Sequence, residues 1–180
     1  ASIGDPYGNF MVNGTPIDNS EGSKLHPDLA SRMNRTAAVW TRDLDSDPRT
    51  VSDTEILISI LEDGNWSEPI EVTSNSLSDD QPKVEMDNNG NIWVSWLQDQ
   101  ERPMLRKMEW NTRSWGMAVD IDIPDSETVI TTDMERIEDI IVIISTLDSG
   151  NHGRIRAVAV VGEDPIQTGD ATLLEITDGI

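Results

Sequence analysis

The sequence predicts an all-β fold: a β-propeller-like array of about three four-stranded antiparallel blades, part of a larger propeller or one completed between molecules. Internal repetition is the first observation behind this. Residues 26–75 carry HPDLA, AAVWTRD and TEILISILEDGNWSEPIEVTSN, and residues 81–127 carry QPKVEMD, NIWVSWLQD and MLRKMEWNTRSWGMAVDIDIPDSE. Pro27 aligns with Pro82 (82 − 27 = 55), Trp40 with Trp96 (96 − 40 = 56) and Trp66 with Trp115 (115 − 66 = 49). A fainter third copy runs through DIIVIISTLD, RIRAVAVVG and ATLLEITDGI. Repeats of roughly 40–55 residues made of several short strands mark propellers and related arrays. The second observation is apolar/polar alternation at period 2 in Glu55–Leu61, Ile92–Leu97 and Ile155–Val161. The third is turn chemistry between the alternating runs: Asp63-Gly64, Asn89-Gly90, Ser149-Gly150-Asn151 and Asp164-Pro165.

Residues 1–25 form an N-terminal segment in which Pro16-Ile17-Asp18 matches Pro69-Ile70-Glu71. The expectation is an outer strand of a preceding or neighbouring blade, with Asn9–Val12 as a short apolar strand. Residues 26–75 are expected to form blade 1 and residues 76–127 blade 2. In blade 2 the strands are placed at about Lys83–Met86, Asn91–Leu97, Met104–Trp110 and Gly116–Ile121. Residues 128–180 complete the array as blade 3. There, Asp133–Ile144 starts with apolar residues at helical spacing but ends in a β-branched run that reads as a buried strand. A ring needs about four blades. The array is therefore expected to be a piece of a longer protein, or to be completed by further copies of itself or by a protein partner.

Acidic residues outnumber basic ones 34 to 13, a formal net charge of −21. Such a surface repels phosphate backbones and argues against nucleic acid as a partner. The longest apolar run, Ile140–Ile144, is strand-length, far below a membrane span. Cysteine is absent, so disulfides and thiol chemistry are excluded. An acidic, cysteine-free, strand-rich chain that begins at Ala1-Ser2 fits an extracellular or cell-surface protein of a prokaryote. Asn13, Asn34 and Asn65 stand in Asn-x-Ser/Thr triplets and are candidate glycosylation sites.

Six tryptophans accompany a single Phe and a single Tyr. The equivalent placement of Trp40 with Trp96, and of Trp66 with Trp115, suggests packing between adjacent blades. Trp93 and Trp110 lack tryptophan counterparts in the first copy, which makes them the candidates for a sugar-binding platform. Trp93 and Trp96, at odd spacing on one strand, must face opposite sides. Asp43, Asp45 and Asp47 alternate along a loop and are candidate ligands for calcium. The Asp87-Asn88-Asn89-Gly90-Asn91 stretch reads first as a hairpin turn. His26 and His152 are the only histidines and are far apart, and no nucleophile–base arrangement is readable. Asp79-Asp80 is an acidic pair that chance explains in so acidic a chain.

The proline that opens each copy, the Gly90–Trp96 strand and the Asp63–Pro69 turn (DGNWSEP) resemble the sialidase-like, Asp-box type of propeller repeat found in prokaryotic surface and secreted proteins. The resemblance is degenerate. Trp66 follows Gly64 too closely for a full Asp box, the only tyrosine is Tyr7, and the arginine triad of sialidases has no clear home. What the resemblance implies is the fold and not the hydrolysis. The function expected is therefore a non-catalytic propeller segment for assembly or recognition. A carbohydrate-binding, lectin-like propeller and a fragment of a sialidase-like glycoside hydrolase are the alternatives.

Overall fold

The computed structural model describes residues 16–45, 47, 54–121, 128–138, 140–148, 153–161, 167–168 and 172–175. The N-terminal strand expected at Asn9–Val12 lies outside them, as do Tyr7, Asn13 and His152. The described residues form strands and turns with no helix. Accordingly, no helix among them is long and apolar enough to cross a membrane.

The strands form three antiparallel sheets. Sheet 1 contains β1 (Ser23–Arg32), β2 (Arg35–Asp43), β3 (Thr54–Glu62), β4 (Asn65–Trp66) and β5 (Ile70–Glu71). Sheet 2 contains β6 (Asp79–Met86), β7 (Ile92–Gln98), β8 (Arg102–Glu109), β9 (Ser114–Trp115) and β10 (Val119–Asp120). Sheet 3 contains β11 (Thr128–Ile137), β12 (Ile140–Asp148), β13 (Gly153–Val161), β14 (Gln167–Thr168) and β15 (Thr172–Glu175). In every sheet the first three strands pair in chain order, and the third strand carries two short pieces on its outer edge. The expected fourth strand is thus split: Gly116–Ile121 is replaced by β9 and β10. Sheet 1 shows why a break is tolerated. Ser67 donates its N–H to the Ile60 carbonyl (2.8 Å), and its Oγ accepts the Ile60 N–H (3.0 Å). Two residues on, Pro69 has no N–H to offer the ladder.

Tight turns set the register. Arg32 faces Arg35 across Met33-Asn34, and Glu62 faces Asn65 across Asp63-Gly64. All four turn residues have positive φ, at 50°, 65°, 50° and 82°, which suits the right-handed twist of the flanking strands. The helical spacing early in Asp133–Ile144 is overridden. Ile137 pairs with Ile140 around Glu138 (φ 55°), so the stretch becomes the β11–β12 hairpin.

Each first strand, β1, β6 and β11, bulges by one residue against its partner: between Leu25 and Asp28, between Asp80 and Lys83, and between Val129 and Thr131. His26 and Gln81 sit in the first two bulges at φ 48° and 53°, each directly before a proline. These first strands pack on one another, β6 against both β1 and β11, so they line one side of the array and the split outer strands line the other.

The sheets stack face to face over apolar layers. Ala37, Val39, Ile56 and Ile58 of sheet 1 meet Val84, Ile92, Val94 and Trp96 of sheet 2. Trp93 and Leu105 of sheet 2 meet Met134, Ile141, Ile143 and Val158 of sheet 3. Trp96 and Trp93 therefore enter different layers, as their odd spacing requires. Trp40 packs on the opposite face of sheet 1, with Ala38, Leu57, Trp66 and Ile17.

Candidate functional site

Where the first strands converge, the repeat brings together groups that lie far apart in the chain. His26 Nδ1 is 2.7 Å from Asp80 Oδ1, which also accepts the Thr41 hydroxyl (2.8 Å) and the Gln81 N–H (2.8 Å). Asp28 Oδ2 accepts the N–H of Val84 (3.0 Å), a donor the sheet edge leaves without a ladder partner. Lys83 and Asp133 form an ion pair at 3.6 Å from sheet 2 to sheet 3. The His26 imidazole is half exposed, and it is held by a carboxylate on a strained bulge. Sequence reasoning missed this pair. Its signal was positional: His26 sits in the bulge that opens one copy, and Asp80 directly precedes the bulge residue Gln81 that opens the next.

Behind this line lies a buried polar network. Asp79, with no exposed surface, accepts Trp96 Nε1–H (2.7 Å), Gln98 Nε2–H (3.1 Å) and Asn75 Nδ2–H (2.6 Å). Glu55 accepts the Thr73 hydroxyl (2.5 Å) and the Asn75 N–H (2.8 Å). Burial pushes the Glu55 carboxyl above the usual range, and the charges of Asp79 and Glu71 add to this against the Thr73 and Asn75 hydrogen bonds. Burial raises Glu85 as well, with Glu135 and Asp28 adding to it and Met86 N–H and Arg136 opposing. A carboxyl raised in the folded state stabilises fully below the ordinary glutamate value of 4.5, and that stability is lost as pH rises through the folded value. Acidification from about pH 7.5 to about pH 5 is therefore expected to raise the melting temperature. Glu85→Gln should raise it at about pH 7.5 and leave it near that of the parent at about pH 4.5. Equal melting temperatures at both pH values would remove Glu85 from the account. Asp18 behaves oppositely. Its burial is outweighed by hydrogen bonds from Ser20 and by the Lys24 ammonium, so its pKa lies below 3.8 and its contribution is lost in stronger acid.

A cavity of about 720 Å³ opens on the face of sheet 1 turned away from sheet 2. Residues 16–20 form one wall, β4 and the turns flanking it form another, and Arg42 and Glu71 close a third side. The Trp66 ring, half-buried, stands among Asn65, Asp18, Glu68 and Glu71. Arg42 Nη2 reaches Glu71 Oε1 at 3.4 Å. Trp115 holds the matching place on β9, but there sheet 1 covers it: Trp115 packs on the sheet 1–sheet 2 layer, and Arg106, 5.3 Å over its ring, donates to the Val72 carbonyl. The same repeat position is therefore an interface residue in sheet 2 and a cavity wall in sheet 1.

Trp93 and Trp110, expected to form a sugar platform, are buried at 1% and 8% exposure. This corrects the expectation. Trp93 fills the layer between sheets 2 and 3 and donates Nε1–H to Asp87 (3.1 Å), while both faces of the Trp110 ring are covered by Arg35 (3.6 Å) and Arg113 (3.4 Å). Trp66, which the repeat comparison places in packing, lines the cavity on sheet 1. Asp43, Asp45 and Asp47 are not gathered: Asp43 is fully buried at the end of β2, whereas Asp45 is exposed and its Oδ1 accepts the Asp47 N–H (2.7 Å). Among the described residues, no three His, Asp or Glu side chains form a group able to hold a metal ion. The calcium expectation rests with a titration. A melting temperature that rises with millimolar calcium, against sodium at equal ionic strength, would require this loop to reorganise. Asp87 serves its turn, accepting the N–H groups of Asn89 (2.8 Å) and Asn91 (2.9 Å). Asn34 and Asn65 are exposed, in a turn and on β4.

No protein-family model and no curated protein sequence matches the chain. Among solved structures, the chain is similar to a Hadza microbial sialidase, with a TM-score of 0.61 and 14% identity over 83% of this chain and 37% of that one. It is also similar to the xyloglucan PUL GH43B of Bacteroides ovatus, with a TM-score of 0.55 and 15% identity over 87% and 29%. An exo-β-1,3-galactanase from Phanerochaete chrysosporium, solved with β-1,3-galactotriose, matches with a TM-score of 0.56 and 9% identity over 97% and 41%. The chain thus spans well under half the length of each. At these identities the likeness is one of fold, and the fold is β-propeller-like, as the repeats predicted.

Proposed function

We propose that this chain is a non-catalytic β-propeller segment of three blades that recognises carbohydrate, outside the cell or at the surface of a prokaryote. The cavity beside Trp66 carries this reading. A half-buried indole bordered by amide, hydroxyl and carboxylate groups suits a sugar ring, whose C–H face stacks while its hydroxyls are hydrogen-bonded. The propeller fold shared with a sialidase, a GH43 protein and a galactanase supports the carbohydrate class. The non-catalytic half rests on how the carboxylates are used. Glycoside hydrolysis generally takes a pair of Asp or Glu side chains facing the scissile bond. Of the three acidic residues that border this cavity, Asp18 is engaged by Ser20 and Lys24 and Glu71 by Arg42, which leaves Glu68 without a second uncommitted carboxylate to pair with.

Trp66→Ala is expected to weaken oligosaccharide binding at least about tenfold, roughly 1.4 kcal/mol, in calorimetric titration, with the fold unchanged by circular dichroism. Undiminished binding by the variant would sink the reading, and so would turnover of a glycoside substrate by the parent. A second reading, assembly with further copies, is favoured by sheet 3. Ile140, Val142 and Ile144 share the face of β12 opposite the core residues Ile141 and Ile143, and Ile140 and Ile144 are each 40% exposed. Sedimentation of the intact chain tests that reading directly.

A further inference from the structure

We infer that the cavity beside Trp66 selects uncharged glycans and rejects sialic and uronic acids, an inference that rests on the carbohydrate reading above. Three acidic residues border the cavity, Asp18, Glu68 and Glu71, against one guanidinium, Arg42; the Asp18 side chain is only 6% exposed and acts through its charge rather than by contact. Arg42 is directed to Glu71 at 3.4 Å, so these two charges offset one another and the guanidinium is not free for an acidic sugar, which leaves Glu68 as the unpaired charge of the lining. Counting Lys24, which stands 3.8 Å from Asp18 outside the cavity lining, carboxylates still outnumber cations three to two. Asp18 is held ionised by Ser20 and Lys24, and its Oδ1 is 2.7 Å from the Ser20 nitrogen. Its charge therefore persists through the neutral range.

A ligand carboxylate entering this space would lose water and meet uncompensated negative charge, which is the more repulsive the less water remains between the groups. A neutral sugar meets none of that penalty. Its hydroxyls donate to Glu68 and Glu71 and accept from Asn65, while its ring stacks on Trp66. The chain's net charge of −21 acts in the same direction at long range and slows the approach of anionic glycans. The lining also argues against a protein sheet as the occupant. The two layers between sheets are built from aliphatic side chains, Met and Trp, whereas this cavity is lined mainly by polar side chains.

The experiment titrates the intact chain with β-1,3-galactotriose, a xyloglucan oligosaccharide and sialyllactose at one ionic strength, then repeats the series with Trp66→Ala and with the double variant E68Q/E71Q. A neutral oligosaccharide should bind at least tenfold more tightly than sialyllactose, Trp66→Ala should weaken it, and E68Q/E71Q should bring sialyllactose up toward the neutral ligand. Sialyllactose binding as tightly as the neutral sugars, and depending on Trp66, would overturn the selectivity while leaving the carbohydrate reading intact. Failure of all three glycans to bind the parent would overturn both. So would self-association that Trp66→Ala abolishes, because a second protein chain would then be the occupant.

Discussion

Asp79→Ala is expected to lower the unfolding free energy by about 3–5 kcal/mol, read from urea denaturation followed by tryptophan fluorescence. Asp79 has no exposed surface and accepts hydrogen bonds from Trp96, Gln98 and Asn75 at 2.7, 3.1 and 2.6 Å. Its removal strands the buried donors of Trp96 and Gln98, each at a cost of about 1–3 kcal/mol, while the exposed Asn75 amide turns to water. The loss is partly offset, because the Asp79 charge also raises the Glu55 carboxyl next to it. Asp79→Asn should cost less. It keeps one acceptor oxygen for Trp96 and Gln98 but sets an amide against the Asn75 amide. A loss below about 1 kcal/mol for Asp79→Ala would mean that water takes over the vacated acceptor positions.

Trp110→Ala is expected to cost about 3–5 kcal/mol, the range for truncating a buried large aromatic. The ring lies in the layer between sheets 1 and 2 and is clamped between Arg35 of sheet 1 and Arg113 of sheet 2. Both guanidiniums then bridge to one carboxylate: Glu62 lies 3.4 Å from Arg35 and 2.7 Å from Arg113. The Trp110 backbone N–H donates to Asn91 Oδ1 at 3.0 Å, a bond that the substitution leaves in place. Double-mutant cycles should apportion the clamp. The Arg35–Trp110 pair is expected to couple by about 1 kcal/mol, and the coupling should survive high salt better than the partly exposed Arg113–Glu62 pair. Additive effects of Arg35→Ala and Trp110→Ala would show the stacked geometry to be energetically idle.

Much of the fold was legible because its signals are local or repeated. The 55- and 56-residue offsets linking Pro27 to Pro82 and Trp40 to Trp96 mark equivalent strands, and period-2 alternation assigns faces; Trp93 and Trp96 entered opposite layers accordingly. The splitting of the outer strand was not legible, since it depends on Ser67 Oγ standing in for a ladder partner of Ile60. The candidate site was legible only in part. Which tryptophan is open depends on whether another sheet lies over it, and Trp66 and Trp115 have the same local sequence signal with opposite surroundings. Trp110 has no tryptophan at its repeat counterpart, which made it look available. Its two covering arginines come from Arg35, a full copy earlier in the chain, and from Arg113 just beyond the turn. The His26–Asp80 contact joins residues 54 apart and exists only because two bulges sit side by side.

The proline-marked bulges bear on a hazard of a different kind from stability. A chain built of near-copies brings several unpaired strand edges close together while it is still folding, and β1 and β6 would otherwise be ready-made templates for each other or for another molecule. Pro27 and Pro82 remove the donor that such a pairing needs, and the extra residue at His26 and Gln81 throws the next donor out of phase. The Asp28 carboxylate then takes the Val84 N–H that remains. Straightening a bulge could thus leave the finished array nearly as stable while making refolding yield fall steeply with protein concentration.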